Sequence, residues 1–533
     1  MPRDIKSEDG FILRFGGGIH SRASEDQIDP RECAEGQNFL LDPGNGEWRP
    51  RPPFDAIGTV PNAAEIRGFA TLKDTAGNTS TLVQAGGVVY QWDGLTTFTQ
   101  VGTVSSSAKL RGGRHAAWEL DDKVIITDLN LAEEVHEWDG TTFAQTTFTD
   151  NDDGAFGTFR AKYAIVDNER VLFGNVYDNG TNYPHLLVGT KRSDYTVLTQ
   201  GTGDRAGAAG VTAEEAWFLP MPQLRPINGL AQNFGVVAIS QEDGAFEKLS
   251  GTDATDFTLE KLYEGSGAAG DEAIAATTND LLYGRPGRIE SLVSTDKFGD
   301  VEIDDPSFRI ADSIRSYGSW TIHYNRRLHR LYCFPSGESE VWVAQVDMLR
   351  SEISPWSKWV TAHALAFQPT ASQICWDPQD DLEYLLMGDS SGNVYRMEGT
   401  GLAGDAGEAN VVSSRTSVQI SAPLDSQFNT IHGWVKYRKN LANTLTLTLQ
   451  MAGEHVADYA HTLTLGGLTR TTVYGGSVYY GGSFYYGTQF EDRFVRGQWS
   501  SSGRSNSLSV KTQIDGVNDF AIAEIGCRFD HST

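Results

Sequence analysis

The sequence predicts an all-β protein with three parts. These are an extended N-terminal arm over residues 1–57, a β-propeller of six to eight blades over residues 58–402, and a C-terminal β-sandwich with a Gly/Tyr-rich loop over residues 411–533. Three observations carry the prediction. "VVYQWDGLTTFTQ", from Val88, nearly recurs as "EVHEWDGTTFAQT", from Glu134, which sets Trp92 and Trp138 46 residues apart. The 533 residues include 57 glycines, 19 tyrosines, 25 phenylalanines and 12 tryptophans, a bias that suits short strands and tight turns. Beyond the glycine-rich "GTGLAGDAGE" (Gly399 to Glu408) the chain changes to strict alternation, as in "TLTLTLQMAG".

The repeat sets the architecture. Val88 to Trp92 has strand propensity, Asp93-Gly94 offers the positive φ angles of a two-residue hairpin turn, and Thr96 to Thr99 returns as strand. Val135 to Trp138, Asp139-Gly140 and Thr141 to Phe143 repeat those parts. A period of about 40–50 residues built from hairpins marks a propeller blade, a small sheet that is stable only when neighbours stack on it. Degenerate hairpins continue the series: His185 to Thr199, Gly235 to Leu262 with turns at Asp243-Gly244 and Gly251, Asp280 to Thr295 around Pro286-Gly287, Arg326 to Asp347, and Glu383 to Glu398. Before them lie "FGGGIHS" and "WRPRPPF", whose prolines exclude a central strand and suggest the arm. After them, "NSLSVKTQIDG" and "DFAIAEIGCRF" join "TLTLTLQMAG" as strands of the sandwich. "VYGGSVYYGGSFYYGTQF" (Val473 to Phe490) reads either as an interface ribbon or as aromatic strand residues packing over glycine gaps.

Charge narrows the function. Lysine and arginine number 43 against 70 acidic residues, a net −27 that repels nucleic acid at long range and argues against a DNA sequence reader. Cys33, Cys333, Cys375 and Cys527 share no CxxC spacing and read as reduced thiols with no metal site. "MPRDIKSEDGF" lacks the apolar run of a signal peptide, and no run of 18 apolar residues suggests a membrane helix.

Five stretches bear on chemistry. "GSGAAG" (Gly265 to Gly270) fits GxGxxG, but "DEAIAATTNDLLYG" after it is too short for the helix a dinucleotide site needs, so an interblade loop is expected. "DNDDG" (Asp150 to Gly154) begins like a calcium loop, yet Ala161 stands where the distal glutamate belongs, which leaves an acidic turn. "SQEDGAF" and "GDSSGNVY" faintly resemble the aspartate boxes of sialidase-like propellers without completing them. "RRLHR" (Arg326 to Arg330) is the densest basic cluster and reads as a solvated strand face rather than a phosphate contact; His323 and His329, six apart, lack metal spacing. No GxSxG elbow or protease signature occurs. The expectation is therefore a non-enzyme with no catalytic, cofactor-binding or metal residues.

One further pattern bears on function. "RFGGGIHSRASEDQIDPRECAEGQNFLLDPGNGEWRPRPPF" (Arg14 to Phe54) carries a Gly-Gly-hydrophobic start, then Asp29, Pro30, Glu32, Ala34, Glu35 and Asn38, then a glycine turn and an Arg-Pro end. The stretch from "ISQEDGAF" to "GRIESL", and "GDSSGNVYRME" followed by "DAGEANVVSSRTS", continue it. Together these resemble the tail nozzle, or hub, proteins of short-tailed bacteriophages, including the packaged-DNA stabilisation proteins. The resemblance implies a structural virion protein made in the host cytoplasm. In that family several copies, usually six, form a ring below the portal and adaptor, extend the DNA channel, and help retain and eject the genome. It implies neighbouring tail proteins (fibres or a needle) as partners, DNA passing without sequence-specific binding, and no membrane insertion. It brings no catalytic residues. The long Gly-Tyr segment departs from the family, and no motif for a needle or receptor is evident.

The alternative from a different class is a glycan-binding or glycoside-hydrolase propeller, which needs two carboxylates facing across a cleft; a third is a host-facing adhesin. In the nozzle reading, part of the −27 lines the lumen, because each phosphate contact would add friction to moving DNA. Neutralising such lumen carboxylates is expected to slow genome ejection, measured as DNA release over time; unchanged kinetics would count against a repelling lumen.

Overall fold

The computed structural model describes all residues except 1–10, 15, 24–26, 30, 43–46, 152–156, 200–203, 209, 234–235, 243, 264, 266, 279, 295–300, 400–404, 407–410, 417–419, 422–426, 440–444, 454–455, 466–493, 506, 516–519 and 533. The protein is all-β; among the described residues only Ala311–Ile314 is α-helical. Propeller blades dominate it. Five four-stranded antiparallel sheets cover residues 159–220, 227–263, 274–304, 320–360 and 371–396, the last completed by Asp55–Thr59. Residues 66–145 form a nine-stranded sheet, antiparallel except at its middle, where Leu110–Gly112 runs parallel to Ile66–Lys73 with Arg111 opposite Phe69.

Both Trp-Asp-Gly motifs lie in outer hairpins of that sheet, but their loops are longer than the expected two-residue turn. Trp92 pairs with Phe98 and Trp138 with Phe143. The aspartates act as acceptors. Asp93 takes the N–H groups of Leu95 (2.8 Å) and Thr97 (3.0 Å), and Asp139 those of Thr141 (2.8 Å) and Thr142 (2.6 Å). The positive φ falls on the glycines alone, +84° at Gly94 and +92° at Gly140. The other expected hairpins are present, including Asp280–Arg285 with Arg288–Ser294 and Glu383–Gly388 with Asn393–Arg396.

Three tryptophans pack between neighbouring elements and donate their indole N–H there. Trp138 donates to Ser80 Oγ (3.1 Å), Trp320 to Arg285 O (2.8 Å) and Trp356 to Pro306 O (2.7 Å), all three indoles being buried. A Cβ on Gly284 would stand 2.7 Å from the Trp320 side chain, so the missing side chain makes room for the indole.

The ring closes with a strand from the other end of the chain. Asp55–Thr59 pairs with Asn393–Arg396 at the outside of the last sheet. On the inside, Thr81 Oγ1 donates to Trp376 O (2.6 Å) and Trp376 N donates to Thr71 Oγ1 (3.0 Å), joining the last sheet to the first.

Where the sequence suggested an extended arm, the described residues before Asp55 supply strands to two six-stranded sheets. Phe11–Arg14 pairs with Phe520–Ser532, which Glu47–Pro50 also meets at Trp48–Ile522; Glu35–Gln37 pairs with Val412–Thr416. The expected C-terminal strands are present as Leu445–Gly453, Ser507–Asp515 and Phe520–Ser532, while the Gly/Tyr segment 473–490 lies outside the described residues. "FGGGIHS" has a steric reason. Gly18 N donates to Ser354 O (2.7 Å), and a Cβ on Gly18 would lie 2.0 Å from Trp356 O.

One buried ion pair fixes this junction. The Arg51 and Asp405 side chains are 0% and 1% exposed and meet at 2.7 Å and 2.5 Å through both guanidinium nitrogens. Arg51 also donates to Asn38 Oδ1 (2.9 Å) and Val360 O (3.0 Å), and Asp405 accepts from Phe54 N (3.2 Å) and Thr361 Oγ1 (2.5 Å). Such a pair is costly to break because the surviving charge stays buried. Asp405→Asn or Arg51→Met is expected to destabilise the protein by about 3–5 kcal/mol. Arg51→Met with Asp405→Leu should recover part of that loss, read from denaturant midpoints.

Candidate functional site: the propeller channel

The inner strands of the blades surround a cavity of about 310 Å³. Its walls come from Ile66–Lys73, Leu110–Gly112, Phe159–Asp167, Ile227–Asn233, Ile274–Ala276, Trp320–Asn325 and Ala371–Trp376. Each strand contributes one to three residues, so the lining is assembled from positions hundreds of residues apart. Among the described lining residues four cations (Arg111, Arg114, Lys162, Arg326) face three carboxylates (Asp271, Glu272, Glu383), although the whole chain carries −27.

The charges sort into two groups. Asp271 and Glu272, just before Ile274–Ala276, are held by partners. Tyr163 OH donates to Asp271 Oδ1 (2.8 Å), Lys162 Nζ lies 3.6 Å away, and Glu272 pairs with Arg111 and with Lys109 Nζ (3.2 Å). Arg111 also donates to Ser372 O (2.6 Å) and Gln373 Oε1 (2.9 Å). Burial pushes the Arg111 pKa down to about 10; burial and the Arg111 charge push Lys109 down to about 8. Tyr163 is raised well above its ordinary value by burial and by Asp271.

The second group is looser. Arg114 Nη1 lies 3.8 Å from Glu383 Oε1, beyond hydrogen-bond distance. Arg326 is exposed toward the same place, and its pKa is lowered by partial burial and by the Arg114 charge, with Glu383 acting the other way. His115 presents its ring at this mouth, where close surroundings and the charges of Arg326 and Arg114 push its pKa down. Deeper in, His323 Nε2 meets Ser372 Oγ at 2.8 Å, and burial with the Arg111 and Lys109 charges depresses it to about 3.

The basic stretch "RRLHR" is largely exposed, as the sequence suggested, but it lies on the turn between two strands rather than on a strand face. Arg326 lines the channel, Arg327 stacks 4.6 Å from the Tyr384 ring, His329 Nδ1 meets Asp347 at 3.0 Å, and Arg330 is paired with Glu398 beside Tyr332. Arg330 repeats a blade device: Glu290 likewise holds Arg285 (3.0 Å) and the Tyr283 hydroxyl (2.7 Å), and Glu137 holds Lys123 (2.7 Å) and the Tyr195 hydroxyl (2.6 Å).

The other motifs lie elsewhere. Gly267 and Gly270 sit in an interblade connection; a Cβ would meet Gln241 O at 2.1 Å and Trp320 O at 2.8 Å respectively, and the strand Ile274–Ala276 follows. Asp150 belongs to the strand Thr149–Asp150, and residues 152–156 lie outside the described residues. In "SQEDGAF" residue 243 is likewise outside; in "GDSSGNVY" the Asp389 carboxylate accepts from Ser391 N (2.8 Å) and Asn393 N (2.9 Å), a turn-stabilising role. The described cysteines Cys33, Cys333 and Cys375 are free and buried.

No protein-family model matches the chain, and no curated protein matches it. Solved structures similar to it include the computationally designed Ika8 protein, at 13% identity over 64% of this chain and 99% of that one (TM-score 0.34). The WD40 domain of coronin from Toxoplasma gondii is 11% identical over 68% and 86% of the two chains (TM-score 0.37). Catalytically inactive virginiamycin B lyase from Staphylococcus aureus is 10% identical over 64% and 98% (TM-score 0.38). Likeness this remote leaves the functional argument to the chain's own residues.

The depressed His323 gives a signed pH effect. Its folded-state pKa lies below the unfolded value, so the unfolded chain takes up the proton first and stability falls as pH drops from about 6.5 toward 3. His323→Gln is expected to remove up to about 1.4 kcal/mol per pH unit of that slope, measured as stability at pH 6, 5 and 4 against the parent.

Proposed function

We propose that the protein is a structural subunit of a multimeric ring, of the tail-nozzle kind its sequence resembles, residing in the tail of a virion. The observation that carries this reading is the path of the N-terminal segment. Before Asp55 it completes both six-stranded sheets, and at Asp55–Thr59 it becomes the outer strand of the last propeller sheet. A body whose two parts share one strand-forming segment transmits load without a free hinge, which suits an adaptor between larger assemblies. In this reading the nine-stranded sheet divides at its parallel pair into two blades, making seven, and the two six-stranded sheets are the faces of a C-terminal sandwich.

The glycan-processing alternative has less support. It needs two carboxylates free to face a sugar. Asp271 and Glu272 are instead engaged by Lys162, Tyr163, Arg111 and Lys109.

Partners in this reading are further copies of the chain, a portal-adaptor above and fibres or a needle below, with DNA passing unread. Native mass spectrometry and negative-stain images of the purified chain, alone and mixed with portal-adaptor complexes, test it. Rings of about six copies that dock below the adaptor are expected. A chain that stays monomeric with the adaptor present and hydrolyses oligosaccharides would sink the reading.

A further inference from the structure

The two ends of the propeller channel differ in a way that the ring-subunit reading does not use. Inner strands run parallel around the axis, as the Arg111–Phe69 pairing shows for one pair. Residues that follow these strands therefore gather at one end, and residues that precede them at the other. Toward the preceding end the carboxylates are compensated: Asp271 and Glu272, ahead of Ile274–Ala276, meet Lys162 and Lys109. At the following end stand Arg114, after Leu110–Gly112, and Arg326, after Trp320–Asn325. Their shared carboxylate is Glu383, which faces Trp376 in register and reaches Arg114 only at 3.8 Å. Two guanidiniums thus share one carboxylate at the mouth of a 310 Å³ cavity of mixed polar and apolar lining, in a chain otherwise rich in acid.

Guanidinium groups present planar paired donors that match phosphate oxygens, and pockets for small molecules begin at about 300 Å³. We propose that this end of the channel binds a small phosphate, either the free ion or a phosphate monoester, between Arg114 and Arg326, with the cavity behind taking any attached group. His115 stands beside them as a further polar contact, and Tyr324 and Gln373 line the space behind. Glu383, the carboxylate nearest to them, is the competitor for the two guanidiniums.

Titration calorimetry and phosphorus NMR on the full chain test this, with inorganic phosphate and ribose 5-phosphate as separate probes. Saturable binding of at least one probe is expected, weakened about tenfold or more by Arg114→Gln and by Arg326→Gln. Equal affinities for the two probes identify the free ion as sufficient, and tighter binding of the monoester shows that the cavity receives the rest. Glu383→Gln should bind several-fold more tightly, a gain that loss of folding cannot mimic, and Arg225→Gln, on an exposed turn, should bind like the parent. Absence of binding by both the parent and Glu383→Gln at millimolar probe, or binding unchanged in both arginine variants, would overturn the site.

Discussion

Asp55–Thr59 and Asn393–Arg396 come from opposite ends of the propeller, and their pairing completes its last sheet. Bringing two points more than three hundred residues apart into register costs loop-closure entropy that one short antiparallel pair does not repay. The Arg51–Asp405 pair lies just outside that strand pair on both sides and adds a bidentate, fully buried contact. It also holds Asn38, Val360 and Thr361, and so ties the closing strand to the adjoining sheet and to the chain leading into the C-terminal strands. A hydrophobic patch could supply comparable burial energy, but charge and paired donors fix direction as well as distance.

The same economy of charge runs through the blades. Three carboxylates of the sheets are each matched to a cation and a tyrosine hydroxyl, at Glu137, Glu290 and Glu398. Burial raises the cost of an unpaired charge, and such pairing offsets it. The channel mouth departs from this rule, because there the cations outnumber their partners.

How much of this was legible follows from how local each feature is. The hairpins around Pro286-Gly287 and Gly392 lie where turn chemistry puts them, since strand and turn preferences act over a few residues. The Trp-Asp-Gly loops were misjudged in detail, because Asp93 and Asp139 serve as side-chain acceptors rather than as positive-φ residues. "FGGGIHS" reads as part of an extended arm and is in fact a close contact, a distinction that depends on Trp356, more than three hundred residues away. "RRLHR" looked like one basic face and is divided among four environments, because the turn between two strands sends neighbouring side chains in different directions.

The sequence by itself determined the all-β character, the blade-sized repeat and the change of pattern after about residue 411, because alternation, turn residues and composition are local properties. Tertiary structure decided that the N-terminal segment closes the ring and edges the C-terminal sheets, since strand pairing over hundreds of residues leaves no short signature. It also decided the channel. Arg114, Arg326 and Glu383 come together only because successive blades turn their inner strands toward one axis.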